Sequence, residues 1–465
     1  MLKINGTEIT EVKYNGTDLE KVVYNGTIIF KKNILQNNEI TIKCPRSKLT
    51  FTIMTAADTP YEVWQQDKKI ATFISGRSAV LNSFVPDKDI FIRAISITEL
   101  YCTGQGLTYL DVSGLTNLHY LYCNYNQLTD LDIKGLTGLQ RLSCEGNRLA
   151  SLDIKELTGL QWLSCGGNQL TSLDIKELTG LQQLSCEGNR LASLDIKELT
   201  GLHYLDCEHN QLTNLDIKGL TGLQRLICGG NRLASLDIKG LVGLQRLDCK
   251  NNQLTSLDVK DFVGLQDLDC ENNQLTSLDI KGLTGLQQLI CGGNRLASLD
   301  VKGLVGLQRL ECPNNQLTSL DIKGLVDLQY LLCSGNRLKS LEVKDLPHLG
   351  ALDCHSNQLI SFDVSGSINL SWLDCRNNQL TSLDIKGLTG LQRLICGGNR
   401  LASIETFLVL FNLLPAFPGK AVLYSDGDGN LKDFTQPAEL VAAFESAKAR
   451  GWSFYKNSLL PGNKL

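Results

Sequence analysis

The sequence has little of what catalysis requires. Its 465 residues include only five histidines, which are scattered along the chain as His119, His203, His209, His348 and His355. It contains no nucleophile elbow, P-loop, dinucleotide-binding fingerprint or H-E-x-x-H zinc motif. We therefore predict that the protein is not an enzyme and that it carries no cofactor.

Charge and hydropathy exclude two further classes of function. The 45 Lys and Arg residues are interspersed with 49 Asp and Glu residues, which gives a net charge of −4. This pattern offers no basic surface for nucleic acid and no polybasic patch for a membrane. No apolar run approaches the roughly 18 residues of a membrane span. Residues 1–7 also lack the apolar segment of a secretory signal, so we expect a protein that stays inside the cell, leaves by another route, or has a leader that this sequence does not include.

What the sequence does contain is a cysteine every 21 residues. Fifteen of its 16 cysteines follow this spacing from Cys102 to Cys396, within repeats such as L-Q-R-L-S-C-E-G-N-R-L-A-S-L-D-I-K-E-L-T-G at 139–159. A short strict period is typical of a solenoid, in which each unit buries its apolar face against its neighbours. We predict about 15 such repeats over residues 99–403.

The repeated cysteines are expected to be buried free thiols that act as small hydrophobic residues. Neighbouring strands lie about 4.8 Å apart, so adjacent thiols could come close. However, each thiol has two equivalent neighbours and their number is odd, which argues against disulfides. No C-x-x-C pair occurs and the histidines do not cluster with the cysteines, which argues against zinc.

Each repeat is predicted to contain a strand and, half a repeat later, a second short strand or extended turn. Residues 141–145 and 151–155 both alternate between polar and apolar side chains, and 21 residues leave no room for a helix of average length. Asn147 and its thirteen equivalents, from Asn126 to Asn399, are expected to bond the backbone of adjacent turns. The first repeat has Gln105 at this position.

The frame L-x-x-L-x-C-x-x-N-x-L, followed by L-x-x-L-D-I-x-x-L, resembles the leucine-rich repeat family, and the repeat length resembles a short bacterial subclass. The resemblance covers residues 99–403 and implies a β-rich repeat solenoid with one parallel strand per repeat and little or no helix within repeats. It also implies that the strand lines a concave ligand face. Residues 447–452 resemble the C-terminal ends of surface leucine-rich repeat proteins from host-associated bacteria.

Three flanking segments are predicted. In residues 1–33, N-G-T recurs at 5–7, 15–17 and 25–27; Asn-Gly favours hairpin turns, and we expect a small meander. These repeats resemble N-terminal modules of some phage-tail and surface proteins. Residues 34–98 are predicted to form a β-rich cap with strands at 39–44, 49–54, 62–64, 70–73 and 90–97. Residues 404–465 are predicted to form an α/β cap with helices at 405–414 and 437–450, starting at Thr435 or Gln436, and strands at 421–425 and 452–455.

Two sets of acidic residues raise the question of calcium. An Asp column runs from Asp111 to Asp384 beside a Lys column from Lys134 to Lys386. Calcium requires six to eight oxygens, and one Asp per repeat beside a Lys is a poor cage, so we favour a solvated charge stripe. Residues 426–430, D-G-D-G-N, begin like a calcium loop but lack its required Gly and Glu, so we predict a hairpin turn there.

The outward positions of the repeat strand behave differently, because they vary where the rest of the repeat is nearly constant. Tyr, Trp and Arg, which recur there, are enriched at binding hot spots. The alternative is drift at solvent positions, but drift would also have eroded the Asp and Lys columns. We predict that one surface binds a protein ligand through Tyr120, Arg141, Trp162, Tyr204, Arg225, Arg246, Asp267, Asp269, Arg309, Tyr330, Trp372 and Arg393.

The sequence thus predicts a non-catalytic, protein-binding scaffold. The family resemblance implies a bacterial surface or host-interaction protein of the adhesin type, although the sequence itself shows no export signal. The alternative is a structural component of a phage tail or cell envelope that docks through residues 1–32. The identity of the protein partner is left open, and neither nucleic-acid binding nor membrane insertion is expected.

Overall fold

The computed structural model describes residues 39–56 and 59–465, and it gives the backbone of six strands between residues 3 and 31. The chain forms two compact units, Met1–Leu202 and His203–Leu465. In the described part of the chain, no helix is both long enough and apolar enough to span a membrane.

Unit 1 begins with three short antiparallel strand pairs. Their members are β1 (Lys3–Ile4) with β2 (Thr7–Glu8), β3 (Lys13–Tyr14) with β4 (Thr17–Asp18), and β5 (Lys21–Tyr24) with β6 (Thr27–Lys31). The pairing is that of hairpins, and the Asn-Gly pairs predicted to form the turns lie outside the described residues. The structure shows three two-stranded sheets rather than the predicted meander.

The next part of unit 1 consists of antiparallel strands with alternating buried side chains. They are β7 (Glu39–Lys43), β8 (Leu49–Thr55), β9 (Tyr61–Gln65), β10 (Lys68–Phe73), β11 (Ser78–Leu81), β12 (Ile90–Arg93), β13 (Ile97–Tyr101) and β14 (Tyr109–Asp111). The single strand predicted at 90–97 is wrong, because the chain breaks into β12 and β13 at Ser96, whose φ is 50°. Strand β11 was not predicted.

Strand β13 joins this cap to the repeats. It pairs antiparallel with β8 on one side and parallel with β15 (Tyr120–Tyr122) on the other. Gln105, which replaces the repeat asparagine, accepts a hydrogen bond from the Thr50 backbone N–H at 2.7 Å. Gln105 therefore satisfies a backbone N–H of the cap, as each ladder asparagine satisfies a backbone N–H of the preceding repeat.

The remaining strands of unit 1 form a parallel ladder. They are β16 (Arg141–Ser143), β17 (Trp162–Ser164) and β18 (Gln183–Ser185), which follow β15 in unbroken register. Their central leucines, such as Leu142, are completely buried, and so are the cysteines that follow, such as Cys144. Each repeat therefore contributes the same inward pair to a continuous core within the unit.

Unit 2 has the same arrangement of repeat strands. Its repeat strands are β19 (Tyr204–Asp206), β20 (Arg225–Ile227), β21 (Arg246–Asp248), β22 (Asp267–Asp269), β23 (Gln288–Ile290), β24 (Arg309–Glu311), β25 (Tyr330–Leu332), β27 (Ala351–Asp353), β29 (Trp372–Asp374) and β30 (Arg393–Ile395). They pair in parallel with one register throughout.

The second half of each repeat is an extended turn in most copies. In the first repeat this half contains β14, which pairs with the cap strand β7. In the later repeats, which are all described, only β26 (Ser340–Glu342) and β28 (Ser361–Asp363) pair there as strands. Two tight turns close a typical repeat: the Leu157 N–H bonds the Ile154 carbonyl at 3.0 Å, and the Leu160 N–H bonds the Leu157 carbonyl at 2.9 Å. Between residues 99 and 403, all of which are described, no helix forms, which confirms the predicted solenoid fold class.

An asparagine ladder links successive repeats as predicted. The Asn147 side-chain amide donates to the Cys123 carbonyl at 3.0 Å and to the Cys144 carbonyl at 2.9 Å. Its oxygen accepts the Leu128 N–H at 3.0 Å. Because this side chain is buried, it satisfies three backbone groups that water cannot reach. All sixteen cysteines are free and buried.

Unit 2 ends in an α/β segment whose core is aromatic. It comprises α1 (Ile404–Leu413), β31 (Lys420–Tyr424), α2 (Ala438–Ala449), β32 (Ser453–Lys456) and a 3-10 helix at Pro461–Asn463. Helix α2 follows Pro437 and has no side-chain cap, so the predicted start at Thr435 or Gln436 is wrong. The aromatic core consists of Phe407, Phe411, Phe434, Phe444 and Phe454.

The D-G-D-G-N segment is a turn, but it does not connect a hairpin, because β31 and β32 pair in parallel. Asp428 Oδ2 accepts the N–H groups of Gly398 and Ser425, both at 2.6 Å. Asn430 then takes the ladder position, since it donates to the Cys396 carbonyl at 3.0 Å and accepts the Leu401 N–H at 2.9 Å. The segment therefore ends the ladder by imitating one more repeat. The domain boundaries at residues 33, 98 and 403 stay predictions.

Candidate ligand-binding face

Each repeat strand is three residues long and presents two side chains away from the core. In β16, Leu142 points inward, while Arg141 and Ser143 flank it. We call the positions equivalent to Arg141 the first strand column and those equivalent to Ser143 the second strand column. Together they form the strand face of each unit. Because the strands are in register, the members of a column are stacked at the strand spacing of about 4.8 Å.

In unit 1 the predicted residues Tyr120, Arg141 and Trp162 are direct neighbours on the first strand column. The Arg141 guanidinium lies over the Tyr120 ring, 5.3 Å from its centroid. Such a pair is a cation–π contact, and it holds both side chains in defined positions. The sequence therefore identified three residues that the fold brings together.

The second strand column of unit 1 adds an aromatic cluster that was not among the predicted residues. The rings of Tyr101 and Tyr122 stack with centroids 4.9 Å apart and an interplanar angle of 5°. The Trp162 ring lies 5.7 Å from that of Tyr122. The signal was present in the sequence, since Tyr122 begins the variable second column, but the prediction emphasised the first column.

A cavity of about 240 Å³ opens on the strand face beside this cluster. Its lining consists of two aromatic rings, one guanidinium and three carboxamides, from Tyr122, Arg141, Gln161, Trp162, Gln182 and Gln183. Gln161 and Gln182 belong to a glutamine-rich column immediately before the strands, which the sequence analysis did not consider as a binding position.

In unit 2 the predicted residues fall into three groups on the first strand column. Tyr204, Arg225, Arg246 and Asp267 are consecutive neighbours, Arg309 pairs with Tyr330, and Trp372 pairs with Arg393. The Arg309 and Arg393 guanidinium groups each lie 5.7 Å from the centroid of the neighbouring aromatic ring. The arginine–aromatic pair of unit 1 thus recurs twice in unit 2.

The second strand column is less exposed than predicted. Ser143, Ser164, Asp248 and Asp374 are each less than a tenth exposed. Large side chains at neighbouring positions of the first strand column cover them. So do the side chains that follow two positions later in the chain, such as Lys250 after Asp248. For example, Lys250 Nζ lies 2.7 Å from Asp248 Oδ2 and 2.8 Å from Glu208 Oε1.

Asp269 is the predicted residue with the most perturbed carboxyl group. Its pKa is raised to about 6, chiefly by burial and also by the nearby Asp248 charge, against the lowering effects of the Glu271 backbone N–H and the Lys250 charge. The group accepts the Glu271 backbone N–H at 3.1 Å. Asp269 therefore already has a hydrogen-bond partner within the protein, and its side chain is only partly exposed to a ligand.

Three groups with metal-ligating atoms lie together in unit 2. Ligand atoms of Asp353, His355 and Asp374 are within 4.8 Å of one another. His355 Nδ1 lies 2.5 Å from Asp353 Oδ1, and Arg376 Nε lies 3.5 Å from Asp374 Oδ2. Burial raises the pKa of Asp374, and the positive charge of Arg376 counteracts this rise. Since each carboxylate has a partner within the protein, we assign no metal to this cluster, and the absence of a metal site stays a prediction.

The Asp and Lys columns are explained by the turns that carry them. Asp237 Oδ1 accepts the Lys239 backbone N–H at 3.1 Å, and Asp300 does the same with Lys302 at 3.1 Å. These two Asp side chains therefore stabilise their own turns, a common role of this residue. Calcium is not needed to account for the column.

Comparison with known proteins identifies the family to which this architecture belongs. A family model for leucine-rich repeats in two copies matches residues 116–159. The functional domain of InlJ from Listeria monocytogenes, which includes a cysteine ladder, is 31% identical; the match covers 73% of this chain and 77% of that domain, with a TM-score of 0.66. The chain belongs to the leucine-rich repeat family.

Other leucine-rich repeat structures are similar to this chain. A leucine-rich repeat protein of Leptospira interrogans is 30% identical, and the match covers 63% of this chain and 76% of that protein, with a TM-score of 0.54. YopM, a leucine-rich effector protein from Yersinia pestis, shares the fold at 22% identity and a TM-score of 0.57, over 72% of this chain and 88% of its own. A search of curated proteins finds no match. The predicted family membership is confirmed.

Proposed function

We propose that this leucine-rich repeat protein is a non-catalytic scaffold whose strand face binds a protein partner. One observation carries the proposal: the first strand column varies, with Tyr, Trp or Arg at ten of its fourteen positions from Tyr120 to Arg393, while the Leu, Cys, Asn and Asp columns around it stay nearly constant. Constant positions are explained by burial or by turn hydrogen bonds, whereas the fold places no comparable demand on the variable ones.

The geometry of the variable column fits recognition of another macromolecule. Arg141 over Tyr120, Arg309 over Tyr330 and Arg393 over Trp372 are pre-ordered pairs. Ordering a side chain before binding reduces the entropy lost on association. Aromatic and arginine anchors of this kind typically carry most of an interface's affinity, at roughly 2 kcal/mol or more each.

We further propose a surface or host-interaction role of the adhesin type. The support is the similarity to InlJ of Listeria monocytogenes at 31% identity, including its cysteine ladder. The shared cysteine ladder is a similarity between the cores of the two proteins. It does not by itself indicate that they bind the same ligand. The partner therefore has to be found by experiment.

Site-specific photo-crosslinking in the full chain tests the proposed face. A photo-reactive amino acid replaces Arg225 on the first strand column in one variant and Lys218 on the charge stripe in a matched variant. We expect the Arg225 variant alone to form a discrete adduct with a protein partner. Equal adducts from both positions, or adducts from Lys218 alone, would contradict the assignment of the face.

A structural alternative rests on the three antiparallel strand pairs between residues 3 and 31. In that alternative they dock the chain onto a larger assembly, such as a phage tail or cell envelope, and the repeats act as a spacer. Removing residues 1–32 from the full chain separates the two functions. The scaffold function predicts that partner binding is retained, whereas the structural alternative predicts that it is lost.

A further inference from the structure

The cavity on the strand face of unit 1 has an unusual origin. The rings of Tyr122 and Trp162 approach to 5.7 Å although they lie on β15 and β17, which are two strands apart. Two strand spacings amount to about 9.6 Å, so the two rings lean towards each other. The intervening second-column residue is Ser143, whose small side chain leaves them room. The cavity of about 240 Å³ opens beside the leaning Trp162 ring.

The floor of the cavity is made of carboxamides that extend from backbone positions at a fixed spacing. The Gln161 backbone N–H donates to the Gln140 carbonyl at 2.9 Å, and the Gln182 N–H donates to the Gln161 carbonyl at 2.8 Å. The main chain is therefore tied into the ladder, and both side chains are exposed. Gln183, on β18, contributes the third carboxamide.

This lining is chemically specific. A carboxamide offers two N–H donors and a carbonyl acceptor without a net charge, and a hydroxyl likewise both donates and accepts. No carboxylate lines the cavity, and its one cation, Arg141, is also engaged with the Tyr120 ring. The aromatic ring of Trp162 provides an apolar platform beside these groups. A ligand that suits them has many hydroxyls, little charge and one apolar C–H face.

A pyranose sugar ring has all three properties, and we propose that this cavity is a saccharide subsite. The Trp162 ring would take the C–H face of one sugar residue, while Gln161, Gln182 and Arg141 would bond its hydroxyls. A peptide is less suited, because extended peptides bind along a sheet edge or a continuous groove, whereas these groups surround one compact space. The proposal goes beyond the protein-binding function and does not depend on it, although Arg141 and Trp162 serve both.

The second tryptophan of the first column provides a matched control. Trp372 also stacks beside an arginine, since Arg393 lies 5.7 Å from its ring centroid. However, the residue before it is Ser371, whose hydroxyl donates to the Gly350 carbonyl at 2.9 Å. Trp372 thus has the aromatic platform with only one of the three carboxamides, Gln392, because Ser371 and Arg393 stand at the positions of Gln161 and Gln183. The proposal therefore assigns it no sugar.

The test is titration of the full chain with methyl glycosides of glucose, galactose, mannose and N-acetylglucosamine, followed by calorimetry and saturation-transfer NMR. We expect at least one to bind with a Kd of about 1 mM, which corresponds to a binding free energy of about −4.1 kcal/mol. Trp162→Ala and, separately, Gln182→Ala should weaken binding at least tenfold, and Trp372→Ala should leave it unchanged. Because Gln182 is exposed, its variant keeps the test decisive even if Trp162→Ala disturbs the fold.

Several results would overturn the saccharide subsite. They are the absence of binding by all four glycosides, equal loss in Trp372→Ala, or retention of binding in both Trp162→Ala and Gln182→Ala. Binding of a proline-rich decapeptide at the cavity without any glycoside binding would assign the site to peptide instead. None of these outcomes affects the crosslinking result for the protein partner, so failures of the two proposals are distinguishable.

Discussion

The asparagine ladder gives a quantitative prediction about what holds the repeats together. In unit 2 the Asn273 amide donates to the Cys249 carbonyl at 3.0 Å and to the Cys270 carbonyl at 3.1 Å, and its oxygen accepts the Leu254 N–H at 3.0 Å. Asn273→Ala removes all three bonds and leaves buried backbone groups unsatisfied. At about 0.5–1.5 kcal/mol per bond, the free energy of unfolding should fall by about 1.5–4.5 kcal/mol.

Urea unfolding followed by circular dichroism measures this loss, and amide hydrogen exchange at Leu254 locates it. Thr276→Ala is the matched control, because Thr276 is exposed three residues later in the same repeat. Repeat arrays can unfold in more than one step, so the local exchange rate at Leu254 is the firmer readout. A loss no greater than that of Thr276→Ala, with unchanged exchange at Leu254, would refute the structural role of the ladder.

Three further predictions concern the core and the charge of the repeats. Thiol titration should find sixteen reactive thiols after denaturation and few before it, because burial raises the pKa of groups such as Cys144 to about 12; disulfides in a peptide map would contradict this. The raised pKa of Asp269, about 6, means that the folded state binds its proton more tightly than the unfolded state does. Stability should therefore fall as pH rises from about 4 to about 6, and Asp269→Asn should flatten that dependence in urea midpoints; an unchanged slope would show that Asp269 is not its source. Deleting one repeat, residues 274–294, should preserve the cooperative circular-dichroism transition, since its neighbours present the same interface; loss of that transition would show that repeats are not interchangeable.

The repeat period made most of the fold predictable. Burial of Leu142 and Cys144 and the bonds of Asn147 follow from the 21-residue frame, because every copy has the same inward positions. The flanking segments were less predictable, since each element there occurs once. The break at Ser96 depends on a single positive φ, and the imitation of a repeat by Asn430 depends on a contact 34 residues away with Cys396.

The candidate site was only partly predictable for a different reason. Strand alternation correctly identifies which side chains leave the core, but it cannot tell how far neighbours cover them. Asp248 and Asp374 point away from the core yet are nearly buried, because long side chains such as Lys250 and Arg376 fold over them. Variation along a column did not indicate the glutamine floor of the cavity, because Gln161 and Gln182 belong to a nearly constant column.

The most direct test of the proposed binding face compares the affinities of two double variants for the partner that crosslinking identifies. Trp162→Ala with Trp372→Ala removes two anchors of the first strand column, and Lys218→Ala with Lys239→Ala removes two charges of the turn stripe. With thermal unfolding as a check that both variants fold, we expect the tryptophan pair to weaken binding at least tenfold, in line with roughly 2 kcal/mol per anchor. The lysine pair should leave affinity unchanged. Loss of binding in the lysine variant with full binding in the tryptophan variant would show that the partner docks on the other side of the repeats.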